Sequence, residues 1–282
     1  MIDNELPSPS CHLGPPMLIL SYLVLGACAG LTAGLFGIGG GLIIVPALVF
    51  SFGLQGMSPE ILTHVAVGTS LATIVVTSAS SIRSHHLKGG VRWDLFKPLA
   101  IGIVVGAVVG VKTAGQLSGA MLQLLIGCFA IAVAVQMGLG LKPKPSRDVP
   151  GRVSLGIVGS IIGSVSALFG IGGGTMTTPY LNWCNVRIQS AIGTSAACGF
   201  PIALAGALVN IEEGWSHPAL MEWSLGYVYL PAFFGIVLTS AWFARYGARL
   251  AHALPETVLK RAFAVLLLLV GGRFLLTALG HS

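Results

Sequence analysis

A helix-breaking phrase that occurs twice constrains this chain more than any other feature. Residues 35–48 read LFGIGGGLIIVPAL and residues 168–181 read LFGIGGGTMTTPYL, identical at nine of fourteen positions. The shared positions include Phe36 and Phe169, the triplets Gly39-Gly40-Gly41 and Gly172-Gly173-Gly174, and Pro46 and Pro179. Each copy precedes a second matched phrase, Val67-Gly68-Thr69-Ser70 and Ile192-Gly193-Thr194-Ser195. The surroundings are apolar, with 54% hydrophobic and 9% charged residues in 282. Helix breakers repeated inside hydrophobic sequence are the pattern of transporters, whose corresponding interrupted helices point to the binding site.

That composition excludes an ordinary soluble domain. Stretches long enough to cross about 30 Å of hydrocarbon recur along the chain. All nine acidic residues fall between them or at the termini. The reading is an all-α polytopic membrane protein, and the net charge of +6 then reflects topology and not nucleic-acid binding. Residues 1–16 are polar and contain proline but no Lys or Arg, so they are expected to be an uncleaved tail and not a signal peptide. The five cysteines show no C-x-x-C spacing and are expected to be small buried residues; no metal or other cofactor is expected.

Ten apolar segments can be read, five per half. They cover 17–37, 41–54, 62–82, 95–113 and 119–141, then 153–170, 174–184, 188–210, 223–244 and 257–279. The proline-rich, charged stretch 142–152 reads as a linker between a first repeat, 17–141, and a second, 153–282. Segments two and seven are short and begin at a glycine triplet. If all ten cross, 13 Lys and Arg lie on one side and only Lys112 and Arg273 on the other. If the two short segments turn back, the division falls to nine against six. Cytoplasmic loops carry the excess of positive charge, which selects ten spans with the linker inside and both termini outside. Five spans per repeat is an odd number, so the second repeat must be inverted, the design of alternating access.

Three successive glycines do not share one helix face. They lower the cost of leaving helical geometry and let a ligand approach bare backbone, which membranes tolerate only in buried or cavity-lining positions. Gly102, Gly106 and Gly110, at four-residue spacing, read instead as helix packing. The helix after each break starts with free N–H groups at the positive end of its dipole, which suits an anion. No carboxylate lies inside an apolar segment to make a cation site. The candidate binding set is Gly39, Gly40, Gly41, Gly172, Gly173 and Gly174, with hydroxyls from Thr69, Ser70, Thr175, Thr194 and Ser195. His64 and Gln189, each five residues before its threonine, occupy matching places and complete it. His85-His86 and the matched Trp93 and Trp223 read as interfacial residues. Arg273 sits near enough to the end of the last segment to snorkel, although it could instead face a substrate.

The paired F-G-I-G-G-G-x-x-x-x-P motifs, each followed by G-T-S, resemble the sulfite exporter TauE/SafE family over residues 17–279. The resemblance implies a bacterial inner-membrane exporter of sulfur-containing anions such as sulfite or small organosulfonates. His64 stands where the second repeat has the more family-like Gln189. The threonines of TMTT replace the aliphatic LIIV of the first copy, making the second break the more polar. No Walker A phrase supports an ATP-driven pump. An intramembrane enzyme is not expected: Asp is missing from the spans, and His64 with Ser70 is the only tempting pair. The alternatives are an anion channel and a non-transporting scaffold of the same fold. Expected partners are a small anionic substrate and the bilayer, without nucleic acid; a homodimer is compatible with this reading.

Overall fold

The computed structural model describes residues 15–36, 40–139, 148–253, 256–278 and 280. Among them are ten helices: α1 Pro15–Phe36, α2 Gly41–Leu54, α3 Pro59–Leu87, α4 Trp93–Gly115, α5 Gly119–Gly138, α6 Arg152–Leu168, α7 Gly174–Trp183, α8 Ile188–Gly214, α9 Leu230–Ala253 and α10 Glu256–Ala278. Their starts follow local chemistry. Pro59 occupies the first turn of α3, where its missing N–H costs nothing. The Ser118 side chain caps α5 by accepting from the Met121 N–H at 3.3 Å. Most of the linker, the N-terminal tail and Gly39 lie outside the described residues.

Among the described residues, five helices are long and apolar enough to cross a membrane: α3, α4, α5, α8 and residues Arg261–Ala278 of α10. The short helices agree with the sequence in their limits, but ten residues in α7 reach only about 15 Å and fourteen in α2 about 21 Å. Neither covers the hydrocarbon alone. Large exposed side chains such as Ile101, Val153, Leu238 and Leu269 form outward faces suited to lipid. The molecule is a multi-pass membrane protein.

One segment departs from the all-helical expectation. The span expected from residue 223 starts only at Leu230, because residues 224–229 form a small antiparallel hairpin. Its strands β1 (Ser224–Leu225) and β2 (Val228–Tyr229) pair Ser224 with Tyr229 and Leu225 with Val228. Gly226 turns the hairpin with φ 54°, and a Cβ there would strike the Ile211 backbone.

The helices pair across the halves. α1 runs along α9, α4 along α6, α5 along α10 and α3 along α8. Small residues make the first two pairs close. Cβ atoms on Gly102, Gly106 and Gly110 would collide with backbone at Gly156, Ser160 and Ser164, and the Ser164 hydroxyl donates to the Gly106 carbonyl at 2.9 Å. The packing role read for those three glycines is therefore observed. Gly26 and Gly30 of α1 meet the α9 backbone at Ile236 and Ser240 in the same way. The cysteine expectation holds for Cys184 and Cys198, which are buried, and fails for Cys28 and Cys128, which are exposed. In a membrane the outer face of a helix is itself an apolar environment, so apolar sequence does not distinguish core from lipid contact.

Candidate functional site

Among the described residues a glycine in each break takes a left-handed backbone, and the copies differ at the position that Gly40 and Gly173 share. Before α2 the left-handed glycine is Gly40, with φ 75° and ψ −20°, whose carbonyl accepts from the N–H groups of Ile43 and Ile44. Before α7 it is Gly170, with φ 66°, whereas Gly173, the counterpart of Gly40, is helical at φ −60°. A side chain at such positive φ is strained. Both short helices then carry a proline at their sixth residue, Pro46 and Pro179, each removing one helical hydrogen bond.

The fold brings the two breaks into contact. A Cβ on Gly41 would lie 2.6 Å from the Gly170 carbonyl and 2.9 Å from the Ile171 Cα. A Cβ on Gly170 would meet Val45 at 2.8 Å and the Val67 Cα at 3.1 Å. Ser70 ties α3 into this contact by donating its hydroxyl to the Gly170 carbonyl at 2.8 Å. Gly173 packs on α8, where a Cβ would sit 2.8 Å from the Ser195 carbonyl and 2.9 Å from the Gly199 nitrogen. The Ser195 hydroxyl donates to the Gly173 carbonyl at 3.0 Å. Gly172 is buried beside these residues and Gly174 begins α7.

The two threonines of the Gly-Thr-Ser phrases are placed reciprocally. Thr69 accepts the N–H of Tyr229, just before α9, at 3.0 Å; Thr194 accepts the N–H of Arg92, just before α4, also at 3.0 Å. Each hydroxyl thus holds the chain of the other half and is fully buried. Four of the five hydroxyl candidates, Thr69, Ser70, Thr194 and Ser195, have protein partners.

The fifth has none. Among the described residues the buried Thr175 hydroxyl finds no partner, nor do the hydroxyls of Thr177 and Ser166, both residues with no exposed surface. Buried hydroxyls without partners are costly and call for explanation by a ligand or water. Thr177 was legible as part of TMTT but its chemistry was not distinguished from its neighbours'. Ser166, in the interior of α6, carried no sequence signal.

His64 and Gln189 do not share a setting. Gln189 is exposed in the first turn of α8. His64 is buried, its Nε2 donating to the Ala114 carbonyl at 3.1 Å while Nδ1 has no partner among the described residues. Its ring lies 5.4 Å from that of Tyr227, which the hairpin delivers. Burial, and then the carboxylates of Glu213 and Glu60, push the Tyr227 phenol upward. His64 therefore belongs to a polar cluster near the end of α4, not to the first turns of α2 or α7. Trp93 donates from Nε1 to His86 Nδ1 at 3.2 Å, and Trp223 is 75% exposed, both compatible with interfacial roles.

The start of α7 thus combines helix N-terminal N–H groups with hydroxyls that have no partner among the described residues. The sequence model of the family described as sulfite exporter TauE/SafE matches residues 22–274. A probable membrane transporter protein of Haemophilus influenzae is 38% identical over 253 residues, covering 89% of this chain and 96% of the relative. Another from Methanocaldococcus jannaschii is 29% identical over 221 residues, 76% of this chain and 79% of the relative. The probable membrane transporter protein YunE of Bacillus subtilis is 25% identical over 276 residues, 90% and 96% of the two chains. No solved structure matches the chain.

Proposed function

Since the chain belongs to the sulfite exporter TauE/SafE family, we propose that it is a secondary transporter that exports small sulfur-containing anions, such as sulfite or organosulfonates, by alternating access. It is a membrane transporter of the TauE/SafE type; substrate, direction and mechanism are the proposal. The anion binds between inverted repeats, residues 17–141 and 153–282, at the paired glycine breaks. The protein lies in a bacterial inner membrane with both termini outside and the linker in the cytoplasm.

The observation that carries this reading is the contact of the two breaks, Gly41 on Gly170 and Ile171 with Ser70 bonded between them. Two segments far apart in sequence converge where helix starts, bare backbone and hydroxyl groups lie together. The helix pairing supports the inverted design: exchanging the helices of one half for those of the other turns α1 with α9 into α6 with α4 and leaves α5 with α10 and α3 with α8 unchanged. The donors suit an anion that leaves again, because hydroxyl and N–H groups bind without the grip of a buried cation.

The test is flux in proteoliposomes holding purified protein. Uptake of labelled sulfite or a small sulfonate should saturate and show counterflow when the lumen is preloaded with unlabelled anion. Linear flux without counterflow would make the protein a channel; no flux with any of sulfite, sulfate, thiosulfate or sulfonates would leave the scaffold reading. A thermal-shift screen with the same anions selects the substrate first.

A further inference from the structure

A groove of about 520 Å³ runs between α2, α5 and α10, with one end at Leu42, next to the first break. It is within the size range of ligand sites, and its walls are almost wholly aliphatic and aromatic, with Arg273, Gln123 and Thr277 as the polar exceptions.

Those three sit at one end. α5 and α10 are antiparallel: a Cβ on Gly138 would lie 3.8 Å from Ala264, and one on Gly127 would lie 3.1 Å from both Gly271 and Phe274. Gln123, one turn before Gly127, is therefore level with the last turns of α10, where Arg273 and Thr277 are. A Cβ on Gly119, a further turn back, would meet the Glu60 carbonyl at 2.7 Å, which places this end beside Pro59 and the loop that follows α2. The opposite end is formed by Leu42 and Leu267, which pack with Ala130, Val133 and Ile171 in the apolar interior. The groove is thus polar where the chain leaves the apolar segments and oily toward their middle.

Arg273 is exposed, and the ion pairs among the described residues, Arg92 with Asp94 and Lys112 with Glu213, do not include it. Its neighbours Leu269 and Leu276 are also exposed, so the guanidinium stands where the groove opens onto the lipid-facing surface of α10. A guanidinium is expensive in hydrocarbon and pairs best with a phosphate or carboxylate that accepts two parallel hydrogen bonds. An apolar channel with one cation at its interfacial end matches an amphiphile of the opposite polarity.

We infer that the groove is a binding site for an anionic phospholipid, with the headgroup phosphate on Arg273, the Gln123 amide beside it and one acyl chain lying along α2 toward Leu42. The inference rests on the membrane assignment and is independent of which solute is carried. Its consequence is that the lipid braces α2, the helix launched by the first break. Basic pockets between membrane helices bind lipid headgroups in this way.

The test measures thermal stability of the purified, delipidated full chain in neutral detergent, with no transport assay, so the outcome is separate from that of the sulfur-anion reading. At about a hundredfold excess over Kd, dioleoyl phosphatidylglycerol should raise Tm by several degrees and dioleoyl phosphatidylcholine by clearly less. Arg273→Gln should abolish the difference, Arg273→Lys should keep part of it, and Arg261→Gln should leave it intact. Ala47→Trp, which fills the groove, should remove the response to either lipid. Stabilisation by inorganic phosphate alone would overturn the inference in favour of a free-anion site. A phosphatidylglycerol preference that survives Arg273→Gln would overturn it as well, as would a dimer that buries the groove and binds no lipid.

Discussion

The two glycine breaks share a plan and divide its chemistry unequally. The first turns at Gly40 and opens a helix of Leu42, Ile43, Ile44 and Val45, of which Leu42, Ile44 and Val45 are buried in apolar surroundings. The second turns at Gly170 and opens a helix whose corresponding positions are Thr175, Met176, Thr177 and Thr178, with two hydroxyls left unpartnered. The glycine phrase is doubled, whereas its backbone differs between Gly40 and Gly173 and side-chain polarity is concentrated in one copy. The first break acts as the packed surface against which the second is held.

Topology gives the largest contrast between the halves, because its outcomes are all or none. In a cysteine-free background, Lys88→Cys and Arg147→Cys should be protected from an impermeant thiol reagent added outside, and Glu212→Cys should label. Outside labelling at residue 147 would end the inverted arrangement and with it the comparison as drawn.

Interlocking comes next. Gly41→Ala drives a methyl group toward the Gly170 carbonyl, a backbone atom that cannot rotate away. It should cost about 3 kcal/mol, the upper part of the overpacking range, and abolish transport, although Gly→Ala in an open helix would stabilise it. A Gly41→Ala protein with wild-type Tm and flux would show that the breaks do not bear on each other.

The division of polarity is tested by Thr175→Val and Thr177→Val, which keep shape and remove a hydroxyl. Anion affinity should fall by about 1–3 kcal/mol if that hydroxyl donates in a buried site. Ligand-free Tm should rise, since an unpartnered polar group disappears. Ile44→Val, the counterpart in the first break, should leave affinity unchanged. Equal affinity losses at Ile44 and Thr177 would mean that both copies hold the ligand through shape alone.

The smallest effect separates the two turns. Gly40→Ala places a side chain at φ 75° and should cost about 1–2 kcal/mol, with Gly40→Asn costing less because asparagine tolerates the left-handed region. At Gly173 the order reverses: its backbone is already helical and space is limiting, so Asn should be worse than Ala. Thermal unfolding of the four variants reads both orders.

Most helix limits were legible because an apolar run bounded by Gly, Pro and charge has few other ways to satisfy its backbone. The short hairpin was missed since Ser224–Tyr229 is apolar enough to read as the start of a span; only Gly226 at positive φ marks it, and a lone glycine is ambiguous. For the site, the doubled motif named Gly41 and Ser70 but not Gly170, whose carbonyl both approach, and sequence could not separate hydroxyls with a protein partner from those without. Thr69 and Thr194 also accept the Tyr229 and Arg92 N–H groups, which the sequence did not show, because a partner 160 or 102 residues away leaves no local trace. The likeness of His64 to Gln189 was positional only; Tyr227 covers one, and the other stays exposed.

The pairing of α1 with α9 and of α4 with α6 has a consequence for how the protein is made. When α1 leaves the ribosome, the backbone that its Gly26 and Gly30 will touch has not been synthesised, and translation needs on the order of ten seconds or more to reach it. Meanwhile the small-residue face of α1 has no helix to pack on, and Thr69 waits for an N–H beyond residue 220. The first half is therefore a nascent chain whose packing partners arrive only with the second half.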